Sequence, residues 1–178
     1  MLYEVESKNR VESIDGIKQI LEMNNAGYLG VSMQDDMYYN SLIRDYAKTD
    51  EALRIRNTGE SAELTYKGPK VKTAGVKARE EYNVTISSAV DMEKILTRTG
   101  FFISRGVQKR REEYSFMGAT IALDIVEGLG HFVEIEIISE DKDSAALEIN
   151  KIKEFLGIDS DNISTSYLEM IINKEGNF

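Results

Sequence analysis

Near the start of the chain, Tyr3-Glu4-Val5-Glu6-Ser7-Lys8 sets two carboxylates and an amine at alternate positions. On a strand, residues two apart share a face and lie roughly 6.5 to 7 Å apart along it, so Glu4, Glu6 and Lys8 project together. Carboxylates so close repel one another unless a cation or basic side chains lie between them. Hard divalent ions such as Mg2+ take oxygen ligands and keep waters that can meet a phosphate. Nearby lysines and arginines would hold the phosphate oxygens, arginine with a two-pronged fork and lysine as a compact charge.

The same alternation recurs further along. Arg54 and Arg56 oppose Leu53 and Ile55; Thr65 and Lys67 oppose Leu64 and Tyr66; Lys109 and Arg111 share a face; Asp124 opposes Leu123 and Ile125; Glu134 and Glu136 oppose Val133, Ile135 and Ile137. The apolar faces must be buried, which leaves the charged faces turned toward water or toward one another. An open sheet would make them a solvated outer face, and a closed barrel would make them the lining of a polar lumen. A solvated face usually mixes serine, threonine, lysine and glutamate. Arginine and paired carboxylates at alternate positions favour the lumen, and pattern alone leaves the open sheet standing.

Helical periodicity runs over Ile14 to Asn25, Ala89 to Thr99, Ala145 to Phe155 and Ser166 to Asn173. Ser13 or Asp15, Ser87 or Ser88, and Ser144 are candidate caps of the first three, and Gly27, Gly100 and Gly157 fall where helices stop. Strands are expected over Tyr3 to Val11, Gly30 to Tyr39, Ala52 to Asn57, Ala62 to Lys67, Arg79 to Ile86, Gly106 to Phe116, Ala119 to Val126 and Phe132 to Ile138. Thr58-Gly59-Glu60 and Met117-Gly118 have hairpin lengths, which predicts an antiparallel sheet. Gly68 to Lys77, with the sole proline Pro69, reads as a mobile loop. Arg110 points away from Arg111 and reads as a surface residue, as does His131. Tyr38 and Tyr39 read as packing, with stacking on a base or ring as the alternative, Met33 and Met37 as gap-filling, and Tyr167 and Leu168 as anchors of a last helix that could plug one mouth of a barrel.

The 178 residues, 42% hydrophobic and 30% charged, suit one domain over 1–178. No stretch approaches the roughly 20 apolar residues of a membrane span, and Met1-Leu2-Tyr3-Glu4 has no signal-peptide character. A cytoplasmic protein is expected. The chain has no cysteine and one histidine, which excludes disulfides, thiolate chemistry and histidine-rich metal sites. A net charge of -9 opposes nucleic-acid binding.

In order along the chain, Glu4-x-Glu6-x-Lys8, Asp36-Met-Tyr38-Tyr39, Ala52-Leu-Arg54-Ile-Arg56, Thr65-Tyr-Lys67-Gly-Pro69, Arg79-Glu80-Glu81, Lys109-Arg110-Arg111, Leu123-Asp124 and Gly128-Leu-Gly130-His-Phe-Val-Glu134-Ile-Glu136 resemble the successive blocks of the CYTH, or triphosphate tunnel metalloenzyme, family. The Tyr-Lys-Gly-Pro and Gly-Leu-Gly-x-Phe-x-Glu-Ile-Glu blocks are most similar to its CyaB-type class IV adenylyl cyclases. The resemblance implies an α+β fold: a closed, eight-stranded antiparallel tunnel barrel with helices outside. It implies Mg2+ or Mn2+ held by Glu4, Glu6, Glu81, Asp124, Glu134 and Glu136, with Asp124 alternatively an orienting partner for an arginine. It implies a triphosphate held by Lys8, Arg54, Arg56, Lys67, Lys109 and Arg111, among which Lys8, Arg54, Lys109 and Arg111 would act in catalysis.

The implied reaction is conversion of ATP to cyclic AMP and pyrophosphate. The alternatives are hydrolysis of thiamine triphosphate or inorganic tripolyphosphate, and a non-catalytic polyphosphate-binding module. A homodimer stays open, as does the choice of Glu80 or Glu81 for the lumen. Departures from the family are Ser7 and Asn9 where large apolar residues are common, Asn40 and Asn83 where acids are common, and the absence of the residues that precede the first strand in class IV cyclases. They bear on cyclase chemistry more than on triphosphate binding.

Overall fold

The two-faced strands of the sequence form a single curled sheet in the computed structural model, which describes residues 3–73 and 76–175. In chain order the elements are β1 (Tyr3–Val11), α1 (Asp15–Met23), β2 (Gly27–Ser41), α2 (Tyr46–Thr49), β3 (Ala52–Asn57), β4 (Ala62–Lys67), β5 (Val71–Thr73), β6 (Val76–Arg79), β7 (Glu81–Ile86), α3 (Ala89–Arg98), β8 (Phe101–Phe116), β9 (Ala119–Val126), β10 (Gly130–Ser139), α4 (Lys142–Phe155) and α5 (Tyr167–Glu175). The strands pair in the order β5-β6-β1-β10-β9-β8-β2-β3-β4-β7, antiparallel throughout.

This corrects the expectation of a closed, eight-stranded barrel: among the described residues the ladder has ten strands and its ends do not pair. Two local facts account for the difference. The stretch read as one strand from Arg79 changes partner at Glu80, so that β6 pairs with β1 and β7 with β4, while the Glu80 carbonyl accepts from the Gly68 amide. Pro69, which has no N–H to donate, ends β4, and the segment read as a loop folds back as the β5–β6 hairpin; Ala74 and Gly75 of that segment, like Met1 and Leu2, lie outside the described residues. The free edge of β1 at Lys8 is taken by the chain leading to α5, with the Lys8 amide donating to Asn162 and the Ile163 amide to the Lys8 carbonyl.

The open ladder nevertheless curls on itself. Lys67 of β4 reaches Glu4 of β1 at 2.9 Å, although five strands separate them in ladder order. The charged faces therefore look into a shared interior. The apolar faces look outward under helices: Val5, Ile121, Leu123, Val133 and Ile135 pack with Ile17 and Leu21 of α1 and Ile149 and Ile152 of α4, and Leu53 and Ile55 pack with Leu96 of α3. Losing one such aliphatic side chain to alanine costs about 2–5 kcal/mol.

The turns follow their residues. Met117 (φ 51) and Gly118 (φ 78) make the β8–β9 hairpin, and Gly100 and Gly157 end helices at positive φ. Ser88 caps α3, but α4 starts three residues earlier than expected, capped by Asp141, whose carboxylate accepts from the Ser144 amide. In α1 the capping position is Ile14, without a side-chain cap, and Gly27 opens β2 rather than ending the helix. Met33 is exposed rather than gap-filling. No helix among the described residues is long and apolar enough to cross a membrane.

Candidate functional site

The curled sheet encloses a cavity of about 500 Å³. It is lined by Glu4, Glu6, Lys8, Arg54, Arg56, Lys67, Glu81, Lys109, Arg111, Glu134 and Glu136, which is every site residue named from the sequence except Asp124. Glu81, not Glu80, faces inward. Three linked groups of charges organise the lining.

The first centres on Asp36 of β2, buried at 1% exposure. Its carboxylate accepts from Arg56 Nε and Nη2 at 2.6 and 2.7 Å, with Arg54 at 3.6 Å and Lys109 at 3.8 Å. Burial would raise its proton affinity, but Arg54, Arg56 and Lys109 outweigh that and hold it well below the ordinary range. Arg54 Nη2 also donates to Thr65, which donates to Asn83. Lys109 is brought down to about 7, by burial first and then by Arg111 beside it.

The second centres on Asp124 of β9, fully buried beneath the lining. It accepts a bidentate pair from Arg111 at 2.8 and 2.6 Å and a bond from the Tyr167 hydroxyl at 2.9 Å. Arg111 also pairs with Glu134, and Glu134 lies 3.5 Å from Lys8 Nζ. This geometry favours Asp124 as the orienting partner of Arg111 over a ligand facing the cavity.

The third is carboxylate-rich. Lys67 bridges Glu4 and Glu81. Burial and contact with Glu81 push Glu4 up, while its bond with Glu4 and the Lys67 ammonium hold Glu81 down despite burial. Glu136 is pushed up to about 8 by burial and by repulsion from Glu4 and Glu6. Among the described residues no three acidic or histidine side chains converge as a ready-made metal cage. The donor chemistry still fits a hard divalent ion. Glu4, Glu6 and Glu136 are crowded carboxylates whose mutual repulsion an added cation would relieve, and Mg2+ characteristically takes only one or two carboxylates, completing its shell with water and phosphate oxygens.

Sequence reasoning gave Asp36 no role and read Tyr167 as an anchor alone. Asp36 could have been found from strand parity, since Gln34, Asp36 and Tyr38 alternate on β2 opposite the β3 arginines. Tyr167 carried no such signal, because its position depends on docking of the last helix. His131 bonds the Glu12 carbonyl through Nδ1, apart from the cavity lining, and Arg110 is part-exposed and pairs with Glu112.

The chain is similar to several known proteins over nearly its whole length. A candidate adenylate cyclase of Methanocaldococcus jannaschii is 36% identical over 173 residues, spanning 95% of this chain and 98% of that protein. A solved structure of a protein from Pyrococcus horikoshii is 38% identical and superposes with a TM-score of 0.84 over 96% of this chain and 99% of that one. A Hippeastrum protein, a candidate adenylyl cyclase described as having a dominant triphosphatase activity, shares the fold at 20% identity, with a TM-score of 0.72 over 97% of this chain and 96% of that one. The model of the CYTH domain matches residues 2–167. The chain belongs to the CYTH family.

Proposed function

We propose that this chain is a divalent-metal-dependent enzyme that holds the triphosphate of ATP in its cavity and forms cyclic AMP and pyrophosphate. The observation that carries the triphosphate reading is the convergence of six cationic side chains, Lys8, Arg54, Arg56, Lys67, Lys109 and Arg111, on one cavity that also presents Glu4, Glu6, Glu81, Glu134 and Glu136. A polyanion site needs only the cations; the acids add a place for a metal. The name of the M. jannaschii relative supports the cyclase, and Tyr38 and Tyr46 in the lining offer aromatic surface to a nucleoside.

Arg54, Arg56 and Arg111, braced by Asp36 and Asp124, would grip phosphate oxygens without reorganising. Lys8, Lys67 and Lys109 would stabilise charge developing on the leaving pyrophosphate. Mg2+ or Mn2+ at Glu4, Glu6, Glu134 and Glu136 would supply charge neutralisation and orientation of the reacting oxygens. In the cyclase reaction the 3′-oxygen bonds to the α-phosphorus, the bond from that phosphorus to the α,β-bridging oxygen breaks, and the hydroxyl proton passes to solvent.

Hydrolysis of thiamine triphosphate or tripolyphosphate is the second reading. It is favoured by the Hippeastrum protein of the same fold, which is described as having a dominant triphosphatase activity. The test is to incubate the protein with ATP, thiamine triphosphate and tripolyphosphate, each with Mg2+ or Mn2+, and to resolve the products by chromatography. Cyclic AMP with pyrophosphate is expected, lost on chelation and in Glu4→Gln and Glu134→Gln; orthophosphate without cyclic nucleotide would replace the cyclase by the hydrolase. Tight binding with no turnover of any of the three would leave a non-catalytic polyphosphate module.

A further inference from the structure

One aromatic ring joins two of the charge groups. The centroid of Tyr167 lies 4.1 Å from Lys8 Nζ and 5.2 Å from Lys109 Nζ. Its hydroxyl donates to Asp124, the carboxylate that clamps Arg111. Tyr167 is 4% exposed, so these contacts are made away from water, where a cation over a ring is held more strongly than at a surface. The segment just before it holds Lys8 as well: Lys8 Nζ donates to the Thr165 carbonyl at 3.2 Å, and the Ile163 amide donates to the Lys8 carbonyl at 2.7 Å. Anchoring α5 requires no more than the edge contact of Tyr167 with Phe132 and the apolar packing around it. It requires neither a hydroxyl on a buried carboxylate nor a ring beneath two ammonium groups.

We infer that Tyr167 is a positioning residue whose ring and hydroxyl, carried into the cavity wall by α5, set Lys8 and Arg111 in the geometry that grips a triphosphate. The inference rests on the triphosphate reading above. A π face attracts an ammonium without accepting its N–H bonds in the manner of a carboxylate, so a phosphate oxygen can still draw on them. The hydroxyl acts one step away, keeping Asp124 turned toward the guanidinium.

The test uses the full chain as wild type, Tyr167→Phe, Tyr167→Leu and Ile171→Ala. Ile171 packs in the same apolar cluster without lining the cavity, so its truncation loosens α5 alone. Tripolyphosphate binding with Mg2+ is read by calorimetry, the thermal midpoint by scanning, and the Lys8 ε-methylene protons by NMR, where a ring beneath them shifts the resonance upfield. Expected are binding about tenfold weaker in Tyr167→Leu, the scale of one desolvated cation–π contact, and a loss within about threefold in Tyr167→Phe, which keeps the ring. Ile171→Ala should lower the midpoint and leave binding unchanged, with the upfield shift absent from Tyr167→Leu alone. Wild-type binding in Tyr167→Leu, an equal loss in Ile171→Ala, or no upfield shift in the wild type overturns the inference and leaves the triphosphate reading standing. A wild-type chain that binds no tripolyphosphate overturns both.

Discussion

Lys109 and Asp36 face each other across the cavity wall with opposite energetic characters. The Lys109 ammonium is brought down to about 7 by burial and by Arg111, with Arg56 adding to the repulsion and Asp124 and Asp36 opposing it. That value lies below the roughly 10.4 of an unfolded lysine. Between the two the unfolded chain holds the extra proton, so stability from this group rises with pH there, and below about 7 its cost is present in full. Lys109→Met should raise the thermal midpoint of the ligand-free protein at pH 6 to 7 and weaken tripolyphosphate binding by about tenfold or more, the scale of a charge-assisted hydrogen bond. Because a bound polyanion favours the protonated amine, binding at pH 8 should take up a proton. Calorimetry in two buffers of different ionisation enthalpy would show this as a buffer-dependent heat, absent from Lys109→Met. Asp36 behaves in the opposite way: Asp36→Asn leaves Arg54, Arg56 and Lys109 without their buried counter-charge and should cost about 3–5 kcal/mol, read from urea denaturation. An unchanged denaturation midpoint would show that the three cations do not depend on it.

At the scale of elements, β1, β3, β4 and β9 match the ranges read from the sequence residue for residue, because each sets apolar side chains such as Val5, Leu53, Leu64 and Leu123 on one face opposite Glu4, Arg54, Lys67 and Asp124 on the other. The cavity lining was legible for the same reason: charge opposite an apolar face has only the interior to enter once the sheet curls. The switch of partner at Glu80 was not legible, since it is decided by which strands flank it and not by its own residues. The β5–β6 hairpin was hidden by Gly68 and Pro69, which mark a break without saying whether a strand follows. The strap before α5 was hidden by distance, as it meets β1 from more than 150 positions away. Asn9, which departs from the apolar residue common in the family, is the fastening. Its amide donates to the Ser160 and Asp161 carbonyls at 2.6 and 3.1 Å and its oxygen accepts from Ser7, all fully or partly buried. Asn9→Ala should cost about 2–3 kcal/mol, the scale of buried hydrogen-bonding groups left without partners. It should also speed exchange of the Ile163 amide and proteolysis between residues 156 and 167. Wild-type exchange at Ile163 would mean that other contacts hold the strap.

For the molecule as a whole, a net charge of -9 surrounds a cavity that carries both signs. The carboxylate group opposes a triphosphate arriving without a cation, and the Asp36 and Asp124 groups, rich in arginine and lysine, oppose a divalent ion arriving without an anion. Each ligand removes the obstacle to the other, so their binding must be coupled, and by linkage the coupling is reciprocal. A ligand at about one hundred times its dissociation constant stabilises the folded state by about 2.7 kcal/mol, which for a chain of this size is a rise of roughly 5 to 10 °C in thermal midpoint. Tripolyphosphate with chelator and Mg2+ without tripolyphosphate should each give a fraction of this, and the two together should exceed their sum. Glu136→Gln should reduce the excess by weakening the carboxylate group while leaving the shift with tripolyphosphate alone equal or larger. Additive shifts would mean that the acids and the cations serve separate purposes, and the cavity would then be a polyphosphate site whose carboxylates only brace the lysines and arginines.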